Sequence, residues 1–178
     1  REVSLRVTFP AVTAGFAGAD KLITRMESEP LDRLAFDLPT AILLLPHRSD
    51  AHVWRPKIQS SLERLMALQA DDGGWGAWWA DGNSPQLTTW LLGALLAGQA
   101  GDFLVEAESI FAAADYLLGA LEGDFDVGAF AWWEGGTDEI VSAARMEALH
   151  TLTRATSSLS DPQRARLGDL VDSALSYL

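Results

Sequence analysis

Residues 71–82, Asp-Asp-Gly-Gly-Trp-Gly-Ala-Trp-Trp-Ala-Asp-Gly, return 54 residues later as Phe-Asp-Val-Gly-Ala-Phe-Ala-Trp-Trp-Glu-Gly-Gly at 125–136. At that single offset Asp72 matches Asp126, Gly74 matches Gly128, Ala77 matches Ala131 and Gly82 matches Gly136. The pairs Trp78-Trp79 and Trp132-Trp133 coincide as well, and so do Thr88 with Ser142, Ala94 with Ala148 and Leu95 with Leu149. Agreement over this length at one offset marks a repeat, and a repeat limits the fold more than any local propensity does. Each unit buries its apolar face against its neighbours, so the chain is expected to stack supersecondary units side by side.

The unit itself reads as a helical hairpin. Ile58, Leu62, Leu65 and Met66 recur at helical spacing before the Gly-Trp run, and Leu87, Trp90, Leu91, Ala94 and Leu95 do so after it. Ser84-Pro85 supplies an N-cap and a proline at the first helical position. Glycines allow a tight loop, and the indoles of Trp75, Trp78, Trp79, Trp132 and Trp133 fill gaps between hairpins while each keeps one N–H donor. Packing is the first reading of these rings; a floor for a bound ligand is the second.

Helices are predicted near 19–27, 32–45, 55–69, 85–98, 104–121, 138–155 and 162–178, with Pro39 placed to kink or split the second. Residues 2–8 alternate Val3, Leu5 and Val7 with polar neighbours, the pattern of one short strand. A lone strand cannot stand by itself. Residues 1–17 therefore read as a strand and connection from a preceding β domain, and 18–178 as an all-α unit: an arc of about three hairpins. The last helix carries Leu167, Leu170, Val171, Ala174, Leu175 and Leu178 on one stripe that nothing downstream covers. With Arg rather than Met at position 1, this reads as a piece of a longer protein.

Composition narrows the function. Twenty-five acidic against 13 basic residues give a formal net charge of −12, and no basic stripe exists to engage a phosphate backbone, so nucleic acid is not an expected partner. Cysteine is absent, which removes disulfides, thiolate metal sites and thiol nucleophiles. The longest apolar run, residues 41–45, is too short for a bilayer, so direct membrane insertion is not expected. His47 and His52 flank Asp50, a weak metal pattern more typical of a surface loop, and His150 has no sequence partners for a Ser-His-Asp arrangement. No cofactor or metal is implied.

Residues 62–98, from Leu-Glu-Arg-Leu-Met-Ala-Leu-Gln-Ala-Asp-Asp-Gly-Gly-Trp-Gly-Ala-Trp-Trp to Thr-Thr-Trp-Leu-Leu-Gly-Ala-Leu-Leu-Ala-Gly, resemble the thioester-domain region of bacterial alpha-2-macroglobulins. That family carries Leu-x-x-Leu-Gln-x-x-Asp-Gly-Gly-Trp-x-Trp-Trp there. The likeness continues through 132–155 and is thin elsewhere. It implies an α/α toroid, a ring of inner and outer helices. Active members carry Pro-Tyr-Gly-Cys-x-Glu-Gln some 30 to 40 residues upstream, where cysteine and glutamine close an internal thioester. Here that stretch is Met26 to Ala35, with Pro30 at the cysteine position and Asp32 and Arg33 at Glu-Gln. Pro30 has no nucleophile and Arg33 no acyl group, so no thioester can form. The resemblance therefore implies the branch without the thioester: a non-catalytic domain of a large periplasmic or cell-envelope protein. It would act with protein partners, proteases or envelope proteins, and with the other domains of its own chain, as an endopeptidase inhibitor or interaction scaffold.

Two other readings compete. The α/α ring also serves terpene cyclases and glycan-processing enzymes, in which Asp71 and Asp72 would act as the acids; a general acid needs a dry pocket, whereas this pair adjoins Gly73-Gly74 in a predicted loop. A zinc prenyltransferase is weaker, because its metal takes a cysteine ligand. A free-standing helical repeat that binds peptides would need polar caps at both ends.

Overall fold

The computed structural model describes Met26 and residues 30–76, 82–122 and 138–175, the side chains of 138–142 excepted. The predicted strand at 2–8 and most of the helix predicted at 19–27 lie outside the described residues, as do Trp78, Trp79, Trp132, Trp133 and the second Gly-Trp run.

Among the described residues the protein is all-α. Its helices are α1 (Leu31–Leu44), α2 (Ala51–Ala67), α3 (Pro85–Ala100), α4 (Ala107–Glu122), α5 (Asp138–Arg154) and α6 (Asp161–Leu175), with 3-10 turns at Leu45–His47 and Thr156–Ser158. The repeat reappears as geometry. Helices α1, α3 and α5 start at Leu31, Pro85 and Asp138, and α2, α4 and α6 at Ala51, Ala107 and Asp161; successive starts in each set lie 53 to 56 residues apart. Helix α3 packs against α1 on one side and α5 on the other, while α4 packs against α6. Each helix also touches the next in sequence.

Helix α3 is the central element. Leu87, Leu91, Leu92, Ala94 and Leu95 are fully buried on it, and polar Gln86, Thr88 and Thr89 are buried too, so the helix is covered on nearly every side. Ser84 caps it, its hydroxyl accepting from the Leu87 amide, with Pro85 in the first turn. Helix α1 supplies Leu34, Ala35, Leu38 and Ala41 to the core and runs unbroken through Pro39. The ring removes the amide that would bond the Ala35 carbonyl, and the next residue, Thr40, donates its hydroxyl to the Phe36 carbonyl. The α1–α2 corner is held by Arg48, which pairs with Asp50 at 2.7 Å and lies 4.4 Å over the buried Trp54 ring. Arg55 does similar work at the end of α3: its guanidinium stacks 4.6 Å over Phe103 and donates to the carbonyls of Gly101 and Asp102. Helix α6 is partly covered after all: Leu167 is buried and Leu170 and Val171 pack on the core, whereas Leu175 is exposed. Arg166 ties it to α4 through Glu122 and Asp115.

Candidate functional site

The Gly-Trp hairpin is built almost entirely from the residues that make its sequence conspicuous. Gln69 Nε2 donates to Gly73 O at 2.8 Å and to Ser109 O at 2.9 Å, joining the loop to α4. The Asp72 carboxylate accepts from the Gly74 amide and from Asn83 Nδ2, closing the loop on itself. Gly73 has φ +88°, and a Cβ there would lie 2.1 Å from the Ala112 carbonyl oxygen. A Cβ on Gly74 would strike Asn83 and the Tyr116 ring. Trp75 is fully buried; its Nε1 donates to Leu65 O at 2.9 Å, its amide donates to Thr88 Oγ1, and its carbonyl accepts from the Ser84 amide. Tyr116 closes the arrangement by donating its hydroxyl to Asn83 O at 2.8 Å. Burial and the nearby Asp72 charge push that phenol from 10.0 up to about 12. Every group of Gln-x-x-Asp-Gly-Gly-Trp is thus engaged in holding α2, α3 and α4 together, and Trp75 presents no face to a ligand.

The other residues singled out from sequence are scattered. Asp71 and Asp72 are exposed in the turn rather than enclosed in a pocket. Pro30 precedes α1 as its N-cap, Asp32 lies in the first turn with one carboxylate oxygen buried and without a hydrogen-bond partner, and Arg33 is exposed. His47 and His52 are exposed at the α1–α2 corner, where Asp50 is committed to Arg48, whose hydrogen bond holds the carboxyl below its ordinary range. His150 is exposed on α5. Among the described residues no three His, Asp or Glu side chains gather as a metal site.

The structure instead brings together residues that sequence reading missed. A groove of about 350 Å³ runs between α1, α3 and α5, and its described lining residues come from these three helices. Phe36, 56% exposed, meets the half-buried Trp90 with ring centroids 4.9 Å apart and planes tilted by 53°. Beside them the Glu147 carboxylate is held by two donors, Gln86 Nε2 at 2.9 Å and Trp90 Nε1 at 3.1 Å. Thr151 and Arg154 follow on α5 one and two turns later, so the three form one face of the helix. Comparison with known protein families, with curated proteins and with solved structures finds no match.

Arg154 forms no ion pair among the described residues, and none involves Glu147. Gly93 lies at the groove with nothing within 4 Å of where a Cβ would sit. The site is therefore an open, aromatic-floored trough with a fixed carboxylate at one end and a guanidinium at the other. It can orient a ligand. Among the described residues that line it, no second carboxylate or histidine stands beside Glu147 to complete an acid–base pair. One signal could have pointed here: Glu147, Thr151 and Arg154 at i, i+4 and i+7 make a polar stripe on a helix whose adjoining face carries Ala144, Ala148 and Leu152 into the core.

Proposed function

We propose that this chain is a non-catalytic protein-binding domain, the toroid portion of an alpha-2-macroglobulin-like protein of the cell envelope that lacks the thioester. It works by holding protein partners, whether proteases or envelope proteins, without covalent capture. The observation that carries the reading is the division of labour between two places. The motif on which the resemblance rests is occupied in building the hairpin, and an open aromatic and acidic trough is left between α1, α3 and α5. The packing of α3 on both α1 and α5, with helix starts at the repeat spacing, suits an α/α ring. Pro30 and Arg33 at the start of α1 offer respectively no nucleophile and no acyl group for a thioester, and no helix among the described residues is long and apolar enough to cross a membrane.

The enzyme reading through Asp71 and Asp72 has less support, because both are exposed and Asp72 is held within its own loop. A screen of polyprenyl and oligosaccharide substrates separates the two. The binding reading expects no turnover; turnover lost in the Asp71→Asn, Asp72→Asn double variant would replace it with an enzyme.

A further inference from the structure

The trough between α1, α3 and α5 has a polarity that selects its occupant. Glu147 is positioned by two neutral donors, the Gln86 amide and the Trp90 indole, so its orientation is set while no ion pair among the described residues balances it. An aromatic pair stands beside it, with Phe36 more than half exposed. A carboxylate next to aromatic faces is the arrangement that recognises an ammonium or guanidinium group, through charge pairing and attraction to the ring π-systems. Arg154, exposed two turns along the same helix, offers the opposite charge. Seven residues of α-helix separate the two groups by about 10 Å, which an extended polyproline II segment spans in roughly three residues while bringing both side chains to the same face.

We propose that the trough is a docking site for an extended segment of a partner protein carrying a lysine or arginine about three residues from an acidic side chain. The basic group sits at Glu147 against Phe36 and Trp90, and the acidic group meets Arg154. The net charge of −12 favours approach of a segment with local positive charge, and the paired charges at the two ends fix its register. This inference rests on the protein-binding reading and names the chemistry of the partner.

Gly93 provides a blocking variant that should still fold. A side chain there enters open space at the groove, and replacing a helical glycine favours the helix, so Gly93→Leu fills the trough without straining α3. The experiment is calorimetric titration of the whole chain with blocked peptides containing Lys-Ala-Ala-Glu and the reverse order. Partners in which norleucine replaces lysine, or glutamine replaces glutamate, are titrated alongside, with n-butylamine as the free-amine arm. One charged order is expected to bind, to weaken about tenfold with norleucine, and to weaken similarly in Glu147→Gln. The norleucine peptide should be indifferent to Glu147→Gln, and the glutamine peptide to Arg154→Gln. Gly93→Leu should abolish binding while melting no lower than the parent. Equal binding of n-butylamine, or peptide affinity unchanged in Gly93→Leu, would overturn the proposal. So would absence of peptide binding while envelope proteins are still captured by both parent and Gly93→Leu; that outcome rejects the trough and leaves the protein-binding reading standing.

Discussion

Trp75 is the residue on which the hairpin depends most. Its ring is fully buried and its Nε1, amide and carbonyl all have partners, so Trp75→Ala should cost about 3–5 kcal/mol. A melting temperature within a degree or two of the parent would contradict this. Gly73→Ala should also destabilise, because positive φ and a Cβ 2.1 Å from a backbone oxygen leave no place for a side chain; chemical denaturation reads the loss. Tyr116 carries a pH signature. Its folded pKa is raised from 10.0 to about 12, so its contribution is intact below pH 10 and fades as pH rises through 12, where the unfolded chain sheds the proton first. The parent should therefore lose more stability between those limits than Tyr116→Phe does. Sequence reading placed Asp72 and Trp75 in a structural loop, but not the roles of Gln69 and Tyr116. Those bonds reach Ser109 and Asn83, 40 and 33 residues away, and nothing local announces them.

Helix boundaries followed the visible periodicity wherever caps accompanied it. Ser84-Pro85 announces α3, and the helix begins at Pro85. Helix α2 starts at Ala51, four residues before the apolar pattern suggested, and carries Pro56 inside it. Its first turn is mostly exposed except for Trp54, so periodicity had little to register there. Pro39 likewise sits within an unbroken α1, whose buried face is continuous on both sides of it. The trough stayed hidden because its parts come from three helices, and Trp90 read as one more member of a core stripe. At this scale the coupling of hairpin to α4 is testable. Gln69→Met removes the donor to Gly73 O and Ser109 O and should cost about 1–3 kcal/mol, seen as faster amide exchange in the loop and at the start of α4. Changing Gly93 to Ala should do the reverse and stabilise the chain by about 0.5–1 kcal/mol, since the helix gains and nothing clashes.

Among the described residues, helices start at the repeat spacing, with α3 packed on both α1 and α5 and α4 packed on α6. That much was legible because each hairpin must bury its face on the next. The trough was not, since it arises where α1, α3 and α5 lie side by side, at residues such as Phe36, Trp90 and Glu147 that stand more than 50 positions apart in the chain. The account rests on non-covalent protein binding at that trough, and one comparison tests it most directly. The immobilised chain and its Glu147→Gln variant are exposed to envelope extract, washed with rising salt, and followed by intact mass after incubation with methylamine. The account predicts partners held by the parent, released by salt, depleted on the variant, and no mass added to the chain. Partners held equally by both proteins, or a methylamine adduct on the parent, would contradict it.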